Sequence, residues 1–199
     1  NTSSAASDVY KRQKLNFKKK KQQNFTYLVC KLKRNESFDL LKLAEINPSK
    51  YPFLLESSSR GNKLNRTSIL FFSPRIILKK DKKNLFFSDL KSIWLTEKLS
   101  QQDIYEDNYK IPFFGGWFIY LGYEMAREIE TKLNIPDSPF VLPDAFAARV
   151  NTAIIYDNIS RKLFLVSDAT NGYEEDFENI LNDISNIDPD DKRSKTTGK

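Results

Sequence analysis

The 199-residue sequence contains no histidine and only one cysteine, Cys30. A Ser-His-Asp or Cys-His mechanism within the chain is therefore excluded, and a zinc site is strongly disfavoured. A single cysteine allows no internal disulfide. Glycine is scarce, and no glycine-rich loop of the Walker or dinucleotide-binding type is present. No uncharged apolar run approaches the ~18 to 20 residues that span a bilayer, so we expect a soluble, cytoplasmic protein with no membrane partner.

The net charge of +6 is concentrated at one end of the chain. Residues 1–34 contain ten Lys or Arg and one acid, whereas the remainder is slightly acidic. The run Lys18–Lys21 is typical of a solvated segment. The alternative from another functional class is a free-standing basic nucleic-acid-binding module that contacts phosphates through this end. Because the positive charge is confined there, we do not expect nucleic acid as a partner.

Composition divides the chain into four segments. Residues 1–13 show neither periodicity nor the apolar core of a signal peptide, and we interpret them as a non-native leader. Residues 14–34 are a basic segment that includes the first strand. Residues 35–187 form the folded domain, and residues 188–199 are a polar tail.

Hydrophobic periodicity predicts strands joined by hairpins, with helices between them. The predicted elements are a strand at 25–33, a helix at 38–46 capped by Asn35 or Ser37, strands ending at Leu55 and spanning 67–72, a hairpin turning at 81–84, a helix capped by Ser88, a strand at 117–121 followed by a helix from Glu124, a hairpin at 152–156 and 162–166, and a helix at 173–187. Residues 100–110 are predicted as a loop. This pattern favours an α+β fold with a largely antiparallel sheet.

The stretch "YPFLLESSS" sets the apolar residues Phe53–Leu55 directly against Glu56 and Ser57. A carboxylate and a hydroxyl beside an apolar wall suit the ammonium group of a small amino acid. The alternative is a strand that leaves the core and turns these side chains to solvent. Arg66, across the following loop, is expected to pair with Glu56, to bind an anion, or to be solvated.

The acidic run Glu174–Asp176 stands at the start of the last predicted helix, where negative charge is favoured. Consecutive helical positions point in different directions, so these side chains do not converge on one ion. We interpret the run as helix capping, and the sequence predicts neither a metal site nor catalytic residues in this chain.

Four stretches in order carry a resemblance: "YPFLLESS", "RTSILFFSP", "PFFGGWFIYLGYEMAREIE" and "LPDAFAARVNTAIIYDNISRKLFLV". Together they resemble the amino-terminal part of anthranilate synthase component I and aminodeoxychorismate synthase component I, over residues 36 to 168. "GGWFIYLGYE" and "LPDAFAAR" look closer to the aminodeoxychorismate branch. The resemblance implies that the α+β sheet is part of a larger two-sheet sandwich in the intact enzyme.

The resemblance implies a non-catalytic portion of a chorismate-aminating enzyme of folate and 4-aminobenzoate biosynthesis. The alternative within the family is the corresponding domain from tryptophan biosynthesis, with a tryptophan feedback pocket. By this resemblance the pocket is lined by Leu55, Glu56, Ser57, Thr67 and Ser68, with Arg66 beside them.

In the family, chorismate, Mg²⁺ and the catalytic groups belong to a carboxy-terminal domain that this sequence does not contain. The cofactor expectation is accordingly none in this chain and Mg²⁺ in the intact enzyme. The expected partners are that catalytic domain, a glutamine amidotransferase subunit and tryptophan.

Overall fold

The computed structural model describes residues 15–22, 25–33, 38–56, 66–80, 85–96, 103–168 and 173–187. The predicted leader and polar tail lie outside the described residues. Within the described ranges, no helix has the length and apolar character needed to cross a membrane.

Strands and short helices alternate along the described chain. In order they are β1 (Lys18–Gln22), β2 (Phe25–Lys31), α1 (Leu40–Ile46), β3 (Phe53–Leu55), β4 (Thr67–Phe72), β5 (Arg75–Lys79), α2 (Phe86–Thr96), β6 (Tyr105–Glu106), β7 (Tyr109–Lys110), β8 (Gly116–Leu121), α3 (Ala126–Ile129), β9 (Ala145–Val150), β10 (Thr152–Asp157), β11 (Lys162–Ser167) and α4 (Tyr173–Asn186). A 3₁₀ turn at Tyr123–Met125 leads into α3.

The strands form a large sheet, a small sheet and a hairpin. The large sheet has the order β1-β2-β11-β10-β4-β3, the small sheet has the order β5-β9-β8, and β6 pairs with β7. Every pairing among these strands is antiparallel. The predicted α+β class with antiparallel sheets is therefore confirmed.

Two strand pairs connect the large sheet to the small one. Phe72 at the end of β4 pairs with Thr152 at the start of β10, and Arg75 at the start of β5 pairs with Arg149 near the end of β9. Only two residues separate β4 from β5, and Asn151 alone separates β9 from β10. The β4–β5 and β9–β10 connections therefore lie side by side, and together they hold the two sheets against each other.

A buried ion pair lies at this corner. The Arg149 guanidinium is hydrogen-bonded to Asp168, and its Nη1 also donates to the carbonyl oxygens of Gly116 and Val150, at 3.0 and 2.6 Å. Gly115 has a φ of 106°, and a Cβ added to it would lie 2.6 Å from the Cβ of Asp168. Glycine is therefore required here both by backbone conformation and by the closeness of Asp168.

Alternating side chains divide the interior into layers. One face of the large sheet packs against α1 and α4 through a cluster that includes Leu70, Leu163 and Ile180. Its other face packs against the β6–β7 hairpin and the small sheet through Tyr109, Phe164 and Phe118. The far face of the small sheet packs against α2 and the 3₁₀ turn.

The predictions for β2, α1, β4, β8, the β10–β11 hairpin and α4 are confirmed to within a few residues. The lysines of the Lys18–Lys21 run are exposed, as predicted for a solvated segment, but their backbone forms edge strand β1 by pairing with β2, which was not predicted. Strand β9 was missed, and residues 105–110, predicted as loop, contain the β6–β7 hairpin.

The hairpin predicted around 81–84 is wrong, although its first strand is confirmed as β5. Its turn lies outside the described residues, but the expected second strand is the beginning of helix α2, which starts at Phe86 and not at Ser88. The Phe87 N–H donates to a carboxylate oxygen of Glu128 at 2.9 Å, so a distant side chain caps this helix instead of Ser88. In α1 the cap is Asp39, whose carboxylate accepts from the Leu41 N–H, instead of Asn35 or Ser37.

Candidate functional site

The predicted site lies where β3 ends and β4 begins. The two strands pair with Leu55 opposite Ile69 and Phe53 opposite Phe71. Leu55 is half exposed and Glu56, directly after the strand, is exposed. The structure thus puts an accessible carboxylate at the end of a short apolar strand. Ser57 lies outside the described residues.

Thr67 and Ser68 do not face the same side of the sheet, since successive strand residues point to opposite faces. Thr67 shares a face with Ile69, which packs in the inter-sheet cluster, and its hydroxyl is 2.9 Å from the Tyr109 hydroxyl. Ser68 is buried and shares a face with Leu70, in the cluster beneath α1 and α4. The structure therefore brings Leu55 and Thr67 to one face and turns Ser68 to the other.

Arg66 is held by an acidic residue that the sequence reasoning did not consider. Its Nε and Nη2 donate to the two carboxylate oxygens of Asp157, each at 2.8 Å. The sequence left three alternatives for Arg66, namely pairing with Glu56, binding an anion or solvation, and the structure instead shows a bidentate ion pair with Asp157. Arg66 anchors the start of β4 to the end of β10, because Asp157 is opposite Thr67 in the sheet.

The Asp157 carboxylate is fully buried and well supplied with donors. Besides Arg66, it accepts from the Ser160 hydroxyl and from the Ile159 N–H. Burial by itself would raise the pKa of Asp157, but the hydrogen bonds from Arg66 and Ser160 outweigh burial and hold that pKa below its ordinary value. Asp157 is thus an anion at neutral pH that both fixes Arg66 and closes the β10–β11 turn.

Tyr109, on β7, covers the beginning of β4. The Arg66 guanidinium lies 4.4 Å from the centre of its ring, within cation–π range, and its hydroxyl contacts Thr67. Burial raises the pKa of Tyr109 above its ordinary value. The sequence analysis missed this residue, although Asp107 and Asn108, between "YE" and "YK", are residue types that favour turns.

A second buried carboxylate fastens the β6–β7 hairpin to the sheet. Glu106 accepts hydrogen bonds from Lys20 on β1, Tyr27 on β2 and Lys162 on β11. Burial favours a raised pKa for Glu106, but these donors outweigh it and lower the pKa. Burial and the neighbouring Glu106 raise the pKa of Tyr27. This network keeps Tyr109 in place above β4.

Aromatic rings form the wall between the two sheets next to β3. The Phe53 ring is stacked on Phe118, with centroids 4.1 Å apart and planes 2° apart, and lies 5.7 Å from Phe146. Phe71 meets Phe118 edge-on at 5.6 Å. These rings therefore form a packed aromatic contact between the sheets, with Phe53 and Phe71 from the large sheet and Phe118 and Phe146 from the small sheet.

The β3–β4 end combines an exposed carboxylate at Glu56, which can accept from an ammonium group, with the half-exposed apolar side chain of Leu55. Among the described residues there is no group of three His, Cys, Asp or Glu side chains able to hold a metal ion. The charged groups at this end are already paired: Arg66 pairs with the buried Asp157, and Lys20 and Lys162 pair with the buried Glu106.

Comparison with known proteins identifies relatives of the chain. Anthranilate synthase component 1 of Saccharomyces cerevisiae is 31% identical over 130 residues, covering 63% of this chain and 25% of that protein. Its counterpart from Acinetobacter calcoaceticus is 34% identical over 92 residues, covering 40% of this chain and 18% of that protein. Aminodeoxychorismate synthase of S. cerevisiae is 30% identical over 80 residues, covering 40% of this chain and 10% of that protein.

Anthranilate synthase component 1 and aminodeoxychorismate synthase are homologues of this chain. No protein-family model matches it. Among solved structures, anthranilate synthase component I from Streptococcus pneumoniae TIGR4 is similar, with 18% identity and a TM-score of 0.43, over 71% of this chain and 32% of that chain. The chain spans between a tenth and a third of the length of these curated relatives.

Proposed function

We propose that this chain is the amino-terminal, non-catalytic portion of an aminodeoxychorismate synthase component I. The observation that carries the proposal is the homology to synthases of this kind, one of them named aminodeoxychorismate synthase. The resemblance of the sequences "GGWFIYLGYE" and "LPDAFAAR" to the aminodeoxychorismate branch supports this choice.

In the proposed enzyme, the ring hydroxyl of chorismate is replaced by an amino group. Ammonia comes from a glutamine amidotransferase partner, and Mg²⁺ and the catalytic groups belong to a domain outside this chain. The contribution of this chain is then structural and regulatory. The apolar core between its two sheets supports a structural role.

The second candidate is the corresponding portion of an anthranilate synthase component I, in which the β3–β4 site is a tryptophan feedback pocket. Three of the curated relatives carry that name. The accessible Glu56 carboxylate beside Leu55 also suits an amino acid with a large apolar side chain.

Product analysis separates these candidates. The complete reading frame that contains this chain is expressed and supplied with chorismate, Mg²⁺ and ammonia. We expect 4-amino-4-deoxychorismate, whereas anthranilate as the product would select the second candidate. The 199-residue chain alone should form neither product. Turnover by this chain alone, or failure of the complete enzyme to consume chorismate, would refute the proposal.

The pocket is tested separately, by calorimetry of tryptophan binding to the complete enzyme. Glu56→Ala should weaken binding roughly ten- to hundredfold, since a charge-assisted hydrogen bond to a desolvated ammonium group contributes ~1.5 to 3 kcal/mol. Phenylalanine should bind more weakly than tryptophan, because it has less apolar surface and lacks the indole N–H.

The matched control is Glu130→Ala, which removes another exposed glutamate, at the end of α3. It should leave tryptophan affinity unchanged. If the unmodified enzyme does not bind tryptophan, Glu56, Ser57 and their neighbours have a structural role only.

A further inference from the structure

A partly buried arginine without an acidic partner lies in the β10–β11 turn. Arg161 directly precedes β11, and its Nη2 donates to the Lys33 carbonyl oxygen at 3.1 Å. Its Nε is buried and has no hydrogen-bond partner. Within the described ranges, no ion pair joins Arg161 to a carboxylate. By contrast, Arg66, Arg127 and Arg149 each pair with an aspartate.

The acidic side chain of the turn itself is already occupied. Asp157 accepts from Arg66 and from two groups of the turn, and the Arg161 side chain is not among its donors. The main chain of Arg161 is held on both sides, because its N–H donates to the Asp157 carbonyl at 2.8 Å and its carbonyl accepts from the Leu32 N–H at 2.9 Å. The turn is therefore fixed, while the guanidinium keeps N–H groups that no protein atom accepts.

The backbone of Arg161 is also strained. Its φ is 57°, in the left-handed region that disfavours residues with a branched or long side chain. Ser73 and Asp107 share this region, but both have short polar side chains that can bond locally. Glycine or asparagine would relieve the strain at Arg161 and would leave no guanidinium donor unpaired. Strained residues of this kind gather at ligand-binding sites.

Tyr156 supplies a second donor beside Arg161. It lies opposite Ser68 of β4 and Leu163 of β11, on the face of the large sheet that α1 and α4 cover. Burial raises the pKa of Tyr156, and the neighbouring Arg161 lowers it in part, so the hydroxyl keeps its proton at neutral pH. In the described part of the chain, this hydroxyl has no hydrogen-bond partner.

The surroundings of these two donors are positively charged. Lys31 at the end of β2 and Lys33 just beyond it are both exposed. A guanidinium fork and a hydroxyl together match the oxygens of a carboxylate or a phosphate, to which they form charge-assisted hydrogen bonds. A cation would be repelled here, and an apolar ligand would leave the donors unpaired.

We propose that the Arg161 guanidinium and the Tyr156 hydroxyl form a binding site for a small oxyanion, either a carboxylate or a phosphate. The unpaired guanidinium N–H groups donate to the ligand oxygens, and the Tyr156 hydroxyl donates to one more. We call it the Arg161 site. It lies on the opposite face of the large sheet from Thr67, so it is separate from the β3–β4 site and does not depend on the proposed function.

NMR of the arginine Nε–H groups of the 199-residue chain tests the proposal. Inorganic phosphate and acetate are titrated separately at constant ionic strength, with chloride as the balancing ion, in mildly acidic buffer where guanidinium protons exchange slowly. The Arg161 resonance should shift saturably with at least one of them, with half-saturation at roughly 1 to 10 mM. The internal control is Arg75, exposed on β5, which should move little and without saturation. Comparing the two titrations distinguishes a phosphate ligand from a carboxylate.

Variants separate binding from structure, with the backbone amides of the turn as the readout. Arg161→Asn suits the left-handed backbone, so the chain should stay folded while the saturable response of these amides disappears. Tyr156→Phe should weaken binding about two- to tenfold, because one hydrogen bond is lost. Ile159→Asn is the matched control, since it changes a 62% exposed residue of the same turn and keeps both donors. Its affinity should equal that of the unmodified chain.

Two results with the 199-residue chain would overturn the inference. One is an Arg161 response that is linear and no larger than that of Arg75 with both anions. The other is a saturable response of the turn that survives in Arg161→Asn. The same titration on the protein from the complete reading frame gives a third test. If neither anion moves the Arg161 resonance there, a carboxylate of the polypeptide itself fills the site, and the inference is wrong.

Discussion

Removal of the Arg66 guanidinium should destabilise the chain substantially, because Asp157 would remain buried without its arginine. Arg66 supplies two of the four hydrogen bonds to that carboxylate, whose side chain has no exposed surface. Breaking a buried ion pair by removing one partner costs about 3 to 5 kcal/mol. The Arg66 side chain is 32% exposed, so water partly replaces it, and we expect about 3 kcal/mol for Arg66→Ala, at the lower end of that range.

The assay is urea and thermal unfolding of the 199-residue chain. For a chain of this size, about 3 kcal/mol corresponds to a fall in Tm of roughly 6 to 12 °C. Arg127→Ala is the matched control, because Arg127 also pairs with a carboxylate, that of Asp137, but on the surface. Its melting temperature should change far less than that of Arg66→Ala.

The effect should depend on pH in a defined direction. The pKa of Asp157 is lowered in the folded state, so its pairing stabilises the chain above the ordinary aspartate pKa of about 3.9 and is lost as pH falls through the folded-state value. The difference between the unmodified chain and Arg66→Ala should therefore be largest near neutral pH and shrink below about pH 4. Equal effects of Arg66→Ala and Arg127→Ala, or a difference that persists undiminished in strong acid, would refute this reasoning.

Two further substitutions test other features of the fold. Gly115→Ala should lower the free energy of unfolding by about 2 to 3 kcal/mol, because the left-handed backbone disfavours alanine and the added Cβ would collide with Asp168. A loss below about 1 kcal/mol in urea unfolding would show that the backbone around Gly115 and Asp168 shifts at little cost, and would contradict this prediction. Glu128→Ala should remove the cap of α2 and the pairing with Lys80, at a cost of about 1 to 2 kcal/mol, and should speed amide exchange in the first turn of α2. Burial favours a raised pKa for Glu128, but Lys80 and the Phe87 N–H outweigh burial and lower the pKa. The loss of stability caused by Glu128→Ala should therefore diminish below about pH 4.5. A loss of stability that does not depend on pH would contradict the capping role.

Local patterns predicted the elements that have a clear hydrophobic periodicity of their own. The β10–β11 hairpin was predictable because two apolar runs flank a short polar turn, and α4 because its apolar residues fall three and four apart. Helix α2 was misassigned at its start because the run Phe86-Phe87 suits a strand or a helix equally well. The residue that decides between them, Glu128, lies 41 residues away in the sequence.

The candidate site was only partly predictable for the same reason. The exposed carboxylate after an apolar strand could be identified from "FLLE", but the partner of Arg66 is 91 residues away, and no pattern in sequence connects the two. Strand β1 has no apolar face in its lysine run, so periodicity could not predict it. It exists because its backbone pairs with β2 and because Lys20 meets the buried Glu106.

The position of β2 between β1 and β11 has a consequence for synthesis on the ribosome. Val29 of β2 pairs with Phe164 of β11, so the strand is made about 135 residues before its partner, or about 7 to 27 s at translation rates of roughly 5 to 20 residues per second. During that delay β2 has only β1 beside it, and an unpaired edge can recruit the same strand from a neighbouring nascent chain. The lysines of β1 put like charges on every such hairpin emerging from a polysome. Their repulsion would keep β2 available for the partner that is synthesised last.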